Sequence, residues 1–402
     1  MATGVYILGA RGNVATTSIV GALAIARGLR DATGMVTQGP EFRGLPLPAL
    51  GELVFGGCDV VRTPLEDRLV ELTTQRVIPA GLEGELQPDL AELDRRIDTV
   101  AGFKMGSVPE GGYLAELTRV EERLADFRSN NGLERVVVVN LTPTEPHFPE
   151  TDEYATPEAL MTALQSARGG FATSTLINAL AALRQGCGYI NFTPSQGSEL
   201  PALRRIARDS RLPHAGKDGK TGETMLKTVL APMFIARNLR VMSWVGNNFL
   251  GNDDGRALDV PAAKDSKLRQ KDVALREMLG ADSFVRTDIQ YVPSLGDFKT
   301  AWDLIHFKGF LGTEMTLSLT WQGCDSALAA PLVLDLVRLV DLAWQRGQAG
   351  MIAPLAPFFK NPLDGHTHDF ARQMWELTEW ADAIRTEIAD ERKQGLGTRD
   401  QG

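Results

Sequence analysis

Cysteine is scarce: Cys58, Cys187 and Cys324 stand far apart in 402 residues. No pair has metal or redox spacing, so a disulfide framework is excluded and three reduced, buried thiols in a cytoplasmic protein are expected. Histidine is scarcer still by function. Of five, only His366 and His368 are close, and there is no HExxH, which argues against a zinc site. No apolar run approaches the roughly 18 residues of a membrane span, and "MATGVYILGARGN" lacks the basic region and cleavage-like site of a leader. Positive charge is also lacking, with a net charge of −9. Nucleic acid and anionic membranes need a broad positive field, so neither is an expected partner, and an anionic ligand must meet a local cluster of lysines or arginines.

Several motifs fail on one position each. "GKDGKTGET" resembles a Walker loop, but its required first glycine is His214. "LGNDDG" resembles a calcium loop, but the register that makes Gly255 the sixth position puts Leu250 first and Pro261 twelfth, where carboxylates are needed. There is no GxSxG elbow, no repeat and no low-complexity segment.

What is present is ordinary globular composition, 43% hydrophobic and long enough for two cores. "GVYILGA" reads as a strand, "RGN" as a turn and "VATTSIVGALAIARGL" as a helix. "GELVFGGCDV" is a second strand ending in Asp59, and "LERVVVVNLTPTEP" is a buried parallel strand that breaks into a polar loop. "STLINALAALRQGCGYINFTPSQGS" repeats helix, turn and strand. The expected fold is therefore α/β, a Rossmann-like doubly wound parallel sheet with its crevice beyond the strand C-termini. After about residue 224 the pattern changes to a second α+β layer: "TMLKTVLAPMFIARNL" as helix, then "RVMSWVGNNF", "DSFVRTDIQYVPSLGDF" and "IHFKGFLGTEMTLSLTWQG" as longer strands. "SALAAPLVLDLVRLVDLAWQ" and "FARQMWELTEWADAIRTEIADERK" return to helix, and "QGLGTRDQG" is expected to fray.

Gly9-Ala10-Arg11-Gly12-Asn13-Val14 joins strand to helix, where free N–H groups and the helix dipole favour a diphosphate. A plain structural turn has the same spacing, and Arg11 stands where a glycine usually lets the backbone approach. The ribose-binding acid is absent about 20 residues on; Asp59 takes that role if the connection carries an insertion. Lys267 and Lys271 are spaced i, i+4, which on spacing alone reads first as a solvated charged face and second as a pair with an anion held between them. Lys299 follows a glycine turn, and Lys360 sits among apolar residues. Asp218, Asn252, Asp254, Asp297 and Asp325 lie in glycine-rich or strand-end loops, the address of functional carboxylates and of turn formers alike.

Four blocks in order change the weighting: "GKDGKTGETMLKTVLAPMF", "NNFLGNDDGRALDVPAAKDSKLRQKD", "YVPSLGDFKTAWD" and "GCDSALAAPLVLDLVRL". With them the chain resembles the inositol-3-phosphate synthases, also called myo-inositol-1-phosphate synthases, in their compact prokaryotic form. The resemblance is specific over roughly residues 190–340 and fainter elsewhere. It implies NAD-dependent conversion of glucose 6-phosphate to a cyclitol phosphate by C5 oxidation, enolisation at C6, aldol closure on C1 and C5 reduction. Lys267 and Lys360 would then contact the reacting oxygens and Lys271 and Lys299 the phosphate. Asp218 would orient a lysine or the substrate, with Asn252, Asp254, Asp297 and Asp325 positioning hydroxyls, ammonium groups or an ion.

For the cofactor the resemblance implies Gly9, Ala10, Arg11, Gly12, Asn13, Val14, Asp59, Thr142, Ser195, Asp218, Asn248 and Asp254. It adds a divalent or monovalent cation with Asp254 as its candidate ligand. It further implies an NAD domain at 1–224, an inserted catalytic and tetramerisation domain at 225–328, and a returning segment at 329–402. Strands such as "TLSLTW" would be buried against neighbouring subunits of a homotetramer, or in the monomer's own core. The family's loop reads GxGGNNG where this chain has GARGNVA, which leaves the role of Arg11 open. The rival functions are closure of another sugar phosphate such as fructose 6-phosphate, simple NAD-dependent dehydrogenation, and a silent binding protein.

Overall fold

The computed structural model describes residues 2–103, 106–166, 168–251, 274–365 and 367–397. Asn252, Asp254, Lys267 and Lys271, four of the expected site residues, lie outside them. Among the described residues the strands are β1 (Thr3–Leu8), β2 (Leu53–Asp59), β3 (Ile97–Thr99), β4 (Arg135–Asn140), β5 (Gly188–Asn191), β6 (Pro213–Gly216), β7 (Arg240–Leu250), β8 (Phe284–Tyr291), β9 (Phe298–Lys308), β10 (Glu314–Cys324) and β11 (Gly350–Met351). The helices are α1 (Asn13–Ala26), α2 (Leu65–Thr74), α3 (Glu83–Asp94), α4 (Tyr113–Asn130), α5 (Pro157–Gln165), α6 (Ser174–Arg184), α7 (Pro201–Asp209), α8 (Gly222–Ala236), α9 (Asp325–Gln345) and α10 (Phe370–Gly397).

Seven strands form one parallel sheet in the order β11-β6-β5-β4-β1-β2-β3. Its two faces are readable residue by residue. Val137 and Val139 of β4 pack into the same core as Val5 and Ile7, with α1, α2, α3, α9 and α10 above them. Val136 and Val138 point the other way, into a core shared with Tyr6, Leu8 and helices α4 to α7. A strand buried on both faces has no reason to alternate polar with apolar, which is why "RVVVV" reads as an unbroken run.

The connection from α1 to β2 is long and carries three short 3₁₀ turns between residues 36 and 52. It is tied down by charged side chains inside α9. Asp335 accepts the backbone N–H groups of Val36 at 2.7 Å and Thr37 at 3.0 Å, while Arg338 donates to the Pro48 carbonyl at 2.9 Å. After Cys324 the chain returns to this sheet: α9 packs on α1, and β11 adds beside β6.

The second sheet has the order β10-β9-β7-β8, antiparallel except for the parallel pair β7–β8. One face is closed by α8, with Phe234, Trp244 and Ile305 at its centre. Two expectations need correction, and a third, "TLSLTW", takes a specific form within the single chain. "DSFVRTDIQYVPSLGDF" is not one strand, because β8 stops at Tyr291 and a 3₁₀ turn at Pro293–Leu295 leads into β9. The apolar residues of "TLSLTW" are neither full core nor wholly outward. Leu317, Leu319 and Trp321 oppose Ile305, Asp303 and Ala301 on the α8 side but stay half-buried, since β10 is the edge strand. Finally, α10 continues through Gly397, into the stretch expected to fray.

Candidate active site

The glycine turn leaves β1 at the sheet's C-terminal edge. Gly9 has φ +82°, and a Cβ there would sit 3.0 Å from the Leu141 carbonyl oxygen, so this corner admits glycine on both counts. Gly12 caps α1 without any side-chain hydrogen bond, and the first helical bond is Thr16 N–H to the Gly12 carbonyl at 2.9 Å. The N–H groups of the first turn thus receive no side-chain cap, and they open at the strand ends. That geometry suits the diphosphate of a dinucleotide.

Arg11 does not obstruct it. Its guanidinium turns away beneath the turn and is 5% exposed. Nε and Nη2 grip the two Asp94 oxygens at 3.0 and 3.1 Å, Nη2 also reaches the Ile97 carbonyl, and Nη1 reaches Val61 O and Thr99 Oγ1, each at 3.1 Å. All five donors are used in bracing the turn to the end of α3, to β3 and to the loop after β2. Asp59 ends β2 beside the turn, where its oxygens accept the backbone N–H of Arg11 at 2.7 Å and of Val61 at 2.9 Å. Its position at the end of the second strand, after the long α1–β2 connection, is where a ribose-binding acid belongs.

The exits of β4 and β5 are built from neutral polar side chains. Asn140 Oδ1 accepts the Thr142 hydroxyl at 2.7 Å, and Asn191 Nδ2 donates to the Ser195 carbonyl at 2.7 Å. Ser195 Oγ in turn accepts the Glu145 N–H at 3.0 Å. Thr142 and Ser195 therefore belong to one hydrogen-bonded rim facing the turn.

The loop after β6 supplies charge. Lys360 Nζ donates to Asp218 Oδ1 at 2.9 Å, and the two residues are also joined through the Lys360 N–H and Asp218 carbonyl at 2.6 Å. Three residues on, the Thr221 hydroxyl lies 3.3 Å from Asp325 Oδ1, and Asp325 Oδ2 is 4.0 Å from Lys299 Nζ. Asp325 is not in a loop but opens α9, immediately after β10. Asp297, just ahead of β9, is 4% exposed and accepts Asn13 Nδ2 at 3.1 Å. Asn13 with Asp297 and Lys299 with Asp325 thus meet where the second sheet approaches the glycine turn, and Thr221 connects Asp325 along the chain to the Asp218–Lys360 pair.

Asn248 completes that wall from β7. It is fully buried, opposite Ala301, and among the described residues neither amide atom has a hydrogen-bond partner. A buried primary amide left unsatisfied by its own chain is costly, and a ligand's polar atoms would relieve the cost.

Other residues had no reading from the sequence. Lys227 pairs with Glu223 at 2.6 Å and donates to Thr287 at 3.1 Å, while the Trp244 indole donates to Asp303 at 2.7 Å, all of them buried beneath the second sheet. The i, i+4 spacing of Glu223 and Lys227 was the available signal. Lys220 is 3% exposed, donates to Gln373 Oε1 at 2.6 Å and lies over the Phe370 ring. Burial lowers its pKa to about 7. Lys217 pairs with Glu199 at 2.6 Å. All three cysteines are free and buried, and the Cys324 thiol contacts Asp297. Among the described residues no group of three or more His, Cys, Asp or Glu could hold a metal, and the candidate Asp254 lies outside them.

An uncapped helix N-terminus at the switch of a doubly wound sheet, faced by paired lysines and carboxylates, defines a dinucleotide-dependent enzyme that works on an oxygen-rich substrate beside its cofactor. A family profile described as myo-inositol-1-phosphate synthase, of the NAD-binding type, matches residues 3–382. Inositol-3-phosphate synthase 1 of Bacteroides thetaiotaomicron is 33% identical across 94% of this chain and 92% of its own length. The human inositol-3-phosphate synthase 1 is 30% identical across 81% of this chain, which spans 60% of the human protein. In fold, the Caenorhabditis elegans inositol-3-phosphate synthase superposes with a TM-score of 0.84 at 22% identity, covering 95% of this chain and 86% of that one. The chain belongs to the myo-inositol-1-phosphate synthase family.

Proposed function

We propose that this chain is an NAD-dependent isomerising cyclase that converts D-glucose 6-phosphate to 1D-myo-inositol 3-phosphate. The observation that carries the reading is the Asn13–Asp297 bond, which brings the uncapped turn at Gly12 to the end of the second sheet that carries the Lys299–Asp325 pair. NAD, when bound, supplies a hydride acceptor for C5 and later returns the hydride, so the reaction has no net redox change. Gly9, Ala10, Gly12, Asn13 and Val14 would hold its diphosphate, Asp59 its ribose, and Thr142, Ser195 and Asn248 the remainder. Arg11 acts on it through the shape of the turn.

The chain's own groups handle protons and charge. Lys360, held by Asp218, is placed beside the C5 hydroxyl, and in its neutral amine form it takes the hydroxyl proton during oxidation and, as the ammonium, gives it back during reduction. Lys267 shares the contact with the reacting oxygens. Lys299 and Lys271 hold the phosphate dianion, and their ammonium groups stabilise the enolate and alkoxide charge that develops beside it. Asp325 sets Lys299 and Asp297 sets Asn13; Asn252 and Asp254 would position the substrate and an accompanying cation. Transfer of a C6 proton to a neutral lysine amine of this set gives the enolate, its carbon attacks the C1 aldehyde, and the resulting alkoxide takes that proton back.

The same reading divides the chain into 1–224, 225–328 and 329–402 and makes the active form a cytoplasmic homotetramer. The half-buried edge strand β10, and Phe310 and Leu311 at 87% exposure on the β9–β10 turn, support an assembly through the second sheet. No described helix is long and apolar enough to cross a membrane. Purified protein with NAD, offered glucose 6-phosphate and fructose 6-phosphate separately, tests the reaction. A cyclitol phosphate from glucose 6-phosphate is the expected product. Closure of fructose 6-phosphate alone, or steady accumulation of NADH, would overturn it.

A further inference from the structure

One line of hydrogen bonds crosses from the first sheet to the second. Arg68, in the first turns of α2, donates from Nε to the Arg11 carbonyl at 3.0 Å and from Nη2 to Asn13 Oδ1. Asn13 Nδ2 donates to Asp297 Oδ1 at 3.1 Å, and the Cys324 thiol meets Asp297 Oδ2 at 3.2 Å. The direction of every bond is determined. Arg68 can only donate, so the Asn13 oxygen must face it; the amide N–H then faces the carboxylate, and a flipped amide would oppose both neighbours. Asp297 accepts on both oxygens, which makes the thiol the donor. Burial, with the charge of Asp297 beside it, pushes the Cys324 pKa up to about 12, so the proton stays on sulfur.

The two ends of this line matter to different parts of the proposed chemistry. Asn13 is the first residue of α1, directly after the uncapped turn. Asp297 precedes β9, whose second residue is Lys299, and Cys324 precedes Asp325, the carboxylate beside Lys299. We propose that Arg68 and Cys324 are positioning residues that lock the cofactor turn to the Lys299 end of the second sheet through Asn13 and Asp297. Neither needs to touch substrate. Arg68 sets the amide and Cys324 sets the carboxylate, so that the turn and the lysine keep one spacing. The inference rests on the function proposed above, but its cofactor half does not depend on which sugar phosphate is closed.

The test uses Arg68→Met, Cys324→Ala and Cys324→Ser in the full chain. NAD affinity is read without sugar, from the rise in melting temperature on titration. Arg68→Met and Cys324→Ala should each weaken NAD about tenfold, the effect of one hydrogen bond to a charged group. They should lower kcat on glucose 6-phosphate by a similar factor, with its KM changed by less than about twofold. Cys324→Ser keeps a donor and should restore both quantities to within about threefold of the parent. The inference is overturned if Arg68→Met and Cys324→Ala match the parent in NAD affinity and kcat. It is equally overturned if Cys324→Ser is as impaired as Cys324→Ala. Should one variant fail to fold, the other, from the opposite end of the line, decides. A parent that turns over no sugar phosphate would sink the substrate reading, while the NAD titration still judges Arg68 and Cys324.

Discussion

In the seven-stranded sheet, buried polarity gathers at the strand ends: Asn140 on β4, Asn191 on β5 and Asp59 on β2, the last held by backbone N–H groups. In the four-stranded sheet it lies mid-strand and is charged, with Asp303 on β9 and Glu223 and Lys227 of α8 under the same face. The first arrangement sets two amides and one carboxylate at the strand exits, while buried charges such as Arg11 and the Asp335 and Arg338 of α9 lie off the strands and tie down turns and loops. The second puts ions where desolvation penalises them, which is tolerable only with close partners. Under the proposed function, the first region holds the cofactor and the second holds charge near the reacting anion.

Substitutions in the two regions should therefore fail differently. Lys360→Ala should lower turnover by about 10²–10⁴-fold, the range for a lost acid–base group, while NAD still raises the melting temperature. Loss of NAD binding instead would place Lys360 with the cofactor. Asp303→Ala removes the acceptor of the Trp244 indole and one of the carboxylates around Lys227. It should cost about 3–5 kcal/mol in urea unfolding; a cost like that of a surface substitution would show that the second sheet does not depend on its buried ions.

The first sheet should show its own weakness in acid. His214 on β6 is 1% exposed, and burial, aided by the charge of Arg204, lowers its pKa from 6.5 to about 4. Below pH 6.5 the unfolded chain takes up a proton that the folded chain refuses until about pH 4. Stability contributed by the neutral ring is thus present above pH 6.5 and lost as pH falls, at about 1.4 kcal/mol per pH unit across that window. Comparing unfolding free energies of parent and His214→Gln across the window isolates this slope; identical slopes would refute it. The smallest effect is expected at the turn. Arg11→Ala should weaken NAD by about tenfold, through loss of the Asp94 brace. An unchanged affinity would show that the turn needs no brace.

The sheet was legible because strands buried on both faces leave long β-branched runs, and "GVYIL" and "RVVVV" are such runs. The Asp218–Lys360 and Lys299–Asp325 neighbourhoods were legible through the family's blocks, not through spacing. They bring together residues 142 and 26 positions apart, which no local pattern reveals. Arg11 was misleading by itself, since its exit to Asp94 depends on a helix far along the chain. Lys220, Arg68 and the thiol of Cys324 were illegible for the same reason: each is defined by a partner on another element. "TLSLTW" shows the limit of alternation, which tells which side is apolar but not whether the strand stands at an edge.

The central claim is that a hydride leaves C5 of glucose 6-phosphate and returns to it at one site. Glucose 6-phosphate deuterated at C5, incubated with the protein and NAD, tests this directly by mass spectrometry of the product. A cyclitol phosphate that keeps its deuterium, with no net NADH, is the predicted result. A product that has lost the deuterium, or reduced cofactor that accumulates with it, would contradict the account.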